Sequence, residues 1–182
     1  SMRTSWNDGE DKSVTAPMSL IVSAFAPVTD ARLSVTPQLQ PEAGAGLVLI
    51  DLGRGANRLG GSALAQSTGQ LGDSVPDVTD AKDLKAFFDL VQRFLQAGKL
   101  LAYHDRSDGG LLATLAEMAF AGHCGLDVDL AEVPGEDIAR LFNEEAGAVL
   151  QITSEDLADF LAAAEELGLA ACTHLIGRAT AT

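Results

Sequence analysis

Apolar residues fall in short runs broken by polar turns, and their period changes along the chain. Residues 19–25 (SLIVSAF) and 47–51 (LVLID) are apolar, β-rich runs, and both predict strands. Between them Pro27, Pro37 and Pro41 exclude a continuous helix and predict an extended connection. From Asp80 the spacing switches: Leu84, Phe87, Phe88, Val91, Phe94 and Leu95 recur every three or four residues, with Asp80 as N-cap and Gly98 as stop. Residues 99–104 (KLLAYH) then predict a strand, 105–110 (DRSDGG) a polar turn, and 111 to about 121 a helix. Residues 127–130 and 149–152 predict two further strands. Ser154 is placed to cap a helix carrying Leu157, Phe160, Leu161 and Leu167, which Gly168 ends, and 172–176 predict the last strand. Residues 3–13 lack an apolar pattern and predict a loop, or the remnant of an element that belongs to something upstream. Strands interleaved with helices predict an α/β fold in the α+β sense, a mixed β-sheet with packed helices.

Composition narrows this picture. At 182 residues and 47% apolar content the chain can bury a substantial core as one unit with ragged ends. Only 5% of residues are aromatic, so that core must be built from Leu, Val, Ile and Ala. A formal net charge of -14, from 12 basic against 26 acidic residues, argues against a nucleic-acid surface, which needs clustered Lys and Arg. Cys124 and Cys172 lie far apart with no metal-ligand spacing, so neither a zinc site nor a disulfide framework is indicated, and a reducing cytoplasm fits. No stretch approaches the roughly 20 apolar residues of a membrane span, and the start lacks a signal pattern.

The candidate chemistry sits in 104–110 (HDRSDGG), where a strand hands over to a helix. A helix start presents unpaired backbone N–H groups and a partial positive charge, and two glycines clear side chains away from an approaching phosphate. Ser107 adds a hydroxyl donor, and Asp105 is the candidate carboxylate for a hard cation such as Mg2+ that bridges protein to phosphate. The competing structural reading is that Asp108 caps the helix while Asp105 and Arg106 pair on the surface. A second glycine turn, 57–62 (NRLGGS), precedes an apparent helix over 63–70 and is open to two readings, close packing or a second phosphate contact. The run 141–147 (LFNEEAG) is either a solvated loop or a ligand-facing one. His104 and His123 lack partners at motif spacing and read as structural.

The string YHDRSDGGLLATLAEMAFAGHCGLDVDL (103–130) closely resembles the second carboxy-terminal-type domain of the large, single-chain phosphoribosylformylglycinamidine synthase family of purine biosynthesis. SVTAPMSLIVSAF (13–25), TPQL (36–39), NRLGGSALAQ (57–66) and LFNEEAGAVLQI (141–152) resemble the same family in the same order. The resemblance implies a carbon–nitrogen ligase in which formylglycinamide ribonucleotide, ATP and glutamine-derived ammonia give the amidine, ADP and phosphate. It further implies that residues 1–25 are the end of a preceding nucleotide-binding domain and 26–182 a C-terminal-type synthetase domain. This domain would line an auxiliary site holding Mg2+ and ATP or ADP, with Asp105 matching the family's magnesium-binding aspartate and Ser107 its nucleotide-contacting serine. Its partners would be the remaining synthetase domains and the glutaminase domain of the same polypeptide; neither cysteine matches the glutaminase nucleophile, so this chain alone is expected to be inactive. Two alternatives stand beside this reading: another enzyme of the aminoimidazole ribonucleotide synthetase superfamily, including selenophosphate synthetase and hydrogenase-maturation types, or a nonenzymatic nucleotide-binding or interaction domain.

Overall fold

A computed structural model describes residues 3–15, 21–41 and 44–181. The chain divides into two compact units, Ser1–Ala31 and Arg32–Thr182. In the first, β1 (Arg3–Asn7) and β2 (Asp11–Thr15) form an antiparallel hairpin in register Arg3↔Thr15 to Asn7↔Asp11. Its turn is held by side chains: Asn7 Nδ2 donates to Asp11 Oδ1 at 2.7 Å, and Asn7 Oδ1 accepts from the Gly9 amide at 3.0 Å. Every residue of both strands is exposed. With no buried face there is no apolar alternation, which is why the sequence there reads as a loop.

In the second unit the described strands form one five-stranded sheet, ordered β4-β6-β3-β7-β5, where β3 is Gly46–Asp51, β4 Leu100–Asp105, β5 Gly125–Val128, β6 Gly147–Ile152 and β7 Thr173–Thr180. The helices are α1 (Ala63–Ser67), α2 (Ala81–Gln96), α3 (Gly110–Gly122), α4 (Asp137–Phe142) and α5 (Ser154–Glu166). The α+β architecture with helices packed on a sheet is the one the interleaving predicts. The predicted mixture of strand directions differs: every pairing in this sheet is antiparallel. Helical connections do join strands of like direction, β3 to β4 through α2 and β4 to β5 through α3. The later strands β6 and β7 insert between them, so no two parallel strands end up as neighbours.

Both faces of the sheet are covered. Val48 and Ile50 of β3, with Ala148, Leu150 and Ile152 of β6, pack against Leu90, Val91 and Phe94 of α2 and Phe160, Ala163 and Ala164 of α5. Leu47, Leu49, Ala102 and Val149 face the other way, onto Leu111, Leu115 and Met118 of α3. Burial on both faces explains the apolar run LVLI and the nearly apolar run AVLQI in the central strands. Gln151, the polar member of the second run, is fully buried and paired reciprocally with the main chain of Gln40, its Oε1 accepting at 2.9 Å and its Nε2 donating at 3.0 Å. Residues 36–40 of the connection are thereby docked on the sheet, where the Tyr103 amide also donates to the Thr36 carbonyl at 3.1 Å and Leu39 enters the core.

Two further local expectations change, and one helix is new. Of the predicted strand over 19–25, residues 19 and 20 lie outside the described residues, and 21–25 form no strand; Ile21, Val22 and Phe25 are exposed and do not pair with any described strand. The cap of α5 is Thr153, whose side chain accepts from the Asp156 amide at 3.2 Å, one residue before the predicted Ser154. Helix α4 is too short to show a helical period and was not predicted. Asp80 caps α2 as its position implies, accepting from the Lys82 amide at 2.8 Å. Among the described residues no helix is long and apolar enough to cross a membrane.

Candidate functional site

Strand β4 carries the segment 104–110 to the end of the sheet where β3 ends and β6 begins. There the side chains alternate: Asp105 and Ser107 are exposed, and Arg106 between them is buried. The Arg106 guanidinium turns inward, donating from Nε to the Glu145 carbonyl at 2.7 Å and from Nη2 to Asp51 Oδ1 at 2.5 Å. Arg106 therefore does not pair with Asp105 on the surface. Nor does Asp108 cap α3: the cap position is Gly109, in a left-handed conformation and without a side-chain cap bond.

The Gly109 amide is instead satisfied by Glu144, whose Oε1 accepts from it at 2.9 Å and from the Ala63 amide at 2.8 Å. One carboxylate thus bridges the entrances of α3 and α1, where the partial positive charge of a helix start favours an anion. The neighbouring Glu145 is fully buried and grips Arg58, accepting from Nε at 2.6 Å, from Nη2 at 2.7 Å and from the Arg58 main chain at 3.0 Å. Those bonds, with the negative charge beside it, hold the Arg58 guanidinium above its already high ordinary value. Asn143, also fully buried, donates to Asn57 Oδ1 at 3.0 Å. The three polar strings of the sequence, 57–62, 104–110 and 141–147, are brought together here.

Glycines serve close approach in this assembly. A Cβ at Gly60 would lie 2.5 Å from the Ser74 carbonyl oxygen, and one at Gly110 would lie 2.6 Å from that of Asn143. The turn 57–62 is accordingly packed against 71–75, with the Gly60 amide donating to Ser74 at 2.7 Å. The two histidines have structural places. His104 has Nδ1 2.8 Å from the Asp105 carbonyl oxygen and Nε2 2.7 Å from Glu117 of α3, and His123 closes α3 at φ 49°.

Burial first, and then the charge of Asp105 and a hydrogen bond to it, push the Tyr103 phenol well above its ordinary value, so it remains a neutral donor beside that carboxylate. Among the described residues no group of three or more His, Cys, Asp and Glu is gathered to cage a metal. What the turn exposes is the Asp105 carboxylate and, two residues on, the Ser107 hydroxyl, with Asp108 exposed beside them at the helix entrance. That set fits a Mg2+ that keeps several waters and takes its remaining ligands from phosphate and other protein groups. Of the residues that shape the turn, Asp51 was not identified from sequence, and Glu144 and Glu145 were read only as part of a solvated or ligand-facing run, whereas they bond inside the protein. Their partners lie 35 to 87 positions away, and the only local signal was an acidic pair before a strand.

The fold recurs in solved structures. Thermotoga maritima PurL complexed with ATP aligns over 84% of this chain and 24% of its own, at 16% identity and a TM-score of 0.63. The same protein complexed with FGAR aligns over 83% and 26%, at 16% identity and 0.64. Escherichia coli HypE, a hydrogenase maturation protein, aligns over 82% and 47%, at 21% identity and 0.54. This chain thus spans about a quarter of the PurL chains it resembles. Residues 42–182, which include the whole five-stranded sheet and every segment of the polar assembly, match the family described as AIR synthase related protein, C-terminal domain, and the chain belongs to that family.

Proposed function

We propose that this chain is a C-terminal-type synthetase domain of a phosphoribosylformylglycinamidine synthase, the second of its kind in that polypeptide. It supplies one arm of an auxiliary magnesium-nucleotide site, with Asp105 as a ligand of Mg2+ and Ser107 as a donor to the nucleotide phosphate. Residues 1–25 belong to the preceding domain, which provides the other metal ligands, and a glutaminase domain supplies ammonia from glutamine. Alone the chain neither hydrolyses glutamine nor makes product. The observation that carries this reading is the alternation in the turn: Asp105 and Ser107 face solvent together at the mouth of α3 while Arg106 is sealed inside. The family membership and the nucleotide complexes of PurL support it.

The test is equilibrium binding of Mg-ADP to this chain alone and to the chain joined to its preceding domain. Alone, affinity should be at least about tenfold weaker, because most charge-assisted contacts are missing, and Asp105→Asn should lower the joined protein's affinity by roughly tenfold or more. Equal affinity in both forms, or a joined protein indifferent to Asp105→Asn, overturns the assignment. A second reading, a superfamily member acting on another substrate, draws on the likeness to HypE. Protection of the joined protein by formylglycinamide ribonucleotide distinguishes the two.

A further inference from the structure

We infer that Arg106 is a positioning residue: its buried guanidinium, locked between Asp51 and the Glu145 carbonyl, fixes the alternation that turns Asp105 and Ser107 outward. The inference rests on the ligand roles of Asp105 and Ser107 proposed above. Each of its hydrogen bonds points inward. Besides those to Asp51 and Glu145, Nη2 donates to the Ala146 carbonyl at 3.3 Å, and the main-chain amide donates to Gly147 at 2.9 Å. The acceptors belong to the end of β3 and to the loop and first residue of β6, two segments remote in sequence that converge beneath the turn.

That frame is itself preorganised. Asp51 accepts from the Gly53 amide at 3.2 Å through Oδ1 and from the Gly55 amide at 2.9 Å through Oδ2, so its carboxylate is held by its own turn as well as by Arg106. Glu145 is fixed by its three bonds from Arg58. The Arg106 and Asp51 side chains are 1% and 2% exposed. A buried ion pair is poorly explained by stability, since apolar residues of similar volume often serve as well. What a guanidinium adds is a planar fork with fixed directions. Along extended backbone alternate side chains face opposite sides, so pinning residue 106 inward commits 105 and 107 to the solvent side.

The experiment uses the 15N-labelled chain with Mn2+ and ADP, because paramagnetic broadening registers even weakly populated complexes. In the unmodified chain, broadening should centre on the amides of 104–113 and vanish in Asp105→Asn. Broadening that ignores Asp105→Asn sinks the ligand assignment, and a ligand-free measurement then decides the role of Arg106 by itself. That measurement is the 15N–1H heteronuclear NOE of Ser107, Asp108 and Gly109. In Asp51→Asn/Arg106→Met, which removes both charges together, this NOE should fall while α2 and α5 keep theirs, and several-fold more Mn-ADP should be needed for equal broadening. Arg106→Lys keeps the charge without the fork and should lie between; it also serves if the paired variant does not fold. Turn order and broadening unchanged in the folded paired variant, or in Arg106→Lys, would overturn the inference.

Discussion

Replacing Gly110 by alanine probes why the turn before α3 carries two glycines. Gly110 has φ +68°, and an added Cβ would lie 2.6 Å from the Asn143 carbonyl oxygen, 2.7 Å from the Phe142 carbonyl carbon and 2.8 Å from the Leu141 carbonyl oxygen. The left-handed conformation costs an L-residue roughly 1–2 kcal/mol. Forcing a methyl against main chain that cannot rotate aside adds about 1–3 kcal/mol. Gly110→Ala should therefore lose about 2–5 kcal/mol in all. Gly98, just past α2, is the control: it has the same φ of +68°, but nothing lies within 4 Å of its added Cβ. Gly98→Ala should lose only the conformational part, roughly 1–2 kcal/mol. Urea unfolding of both variants, with unchanged slope, gives the contact as the difference between them. In a protein of this size each kcal/mol moves the thermal midpoint by about 2–4 °C, so the two should also separate on melting. If Gly110→Ala falls within about 0.5 kcal/mol of Gly98→Ala, the close approach of the α3 entrance to the end of α4 is wrong.

Two further outcomes follow from burial. Phe160 is fully buried and meets Phe94 edge-on, with ring centroids 4.8 Å apart and planes at 73°; Phe160→Ala should cost about 3–5 kcal/mol in urea unfolding, and a loss under about 1 kcal/mol would remove it from the core between α2, α5 and the sheet. His174 on β7 is half-buried, and burial lowers its proton affinity below the ordinary 6.5 despite the opposing charges of Asp51 and Glu132. Below about pH 6.5 the unfolded chain then takes up the proton more readily than the folded one, so this contribution to stability is present above 6.5 and fades as pH falls toward the folded value. Melting midpoints over that window should decline less steeply in His174→Gln than in the parent, and parallel curves would assign the loss to other groups.

Helix α2 was legible because its signals are local: an acidic cap, apolar residues at helical spacing and a terminal glycine all lie within 80–98. Strands β3 and β6 were legible because burial on both faces leaves a continuous apolar run. Their partners were not, since order and direction depend on which strand inserts where, and β6, which follows both in the chain, lies between β3 and β4. The hairpin of β1 and β2 and the short α4 escaped for the opposite reason, having no buried periodicity to leave in the sequence.

At the candidate site the same division holds. The residue types and the spacing of Asp105, Ser107 and the two glycines are local facts, and they suffice to suggest a phosphate-bound metal at a helix entrance. How the turn is held is not local: Arg106 is bonded to Asp51, 55 positions away, and the Gly109 amide to Glu144, 35 positions away. Hydrogen bonds act across ångströms of space and carry no record of sequence separation. The sequence therefore named the candidate groups, and the convergence of β3, β4 and β6 at one end of the sheet decided which of them face solvent and which are buried in the frame.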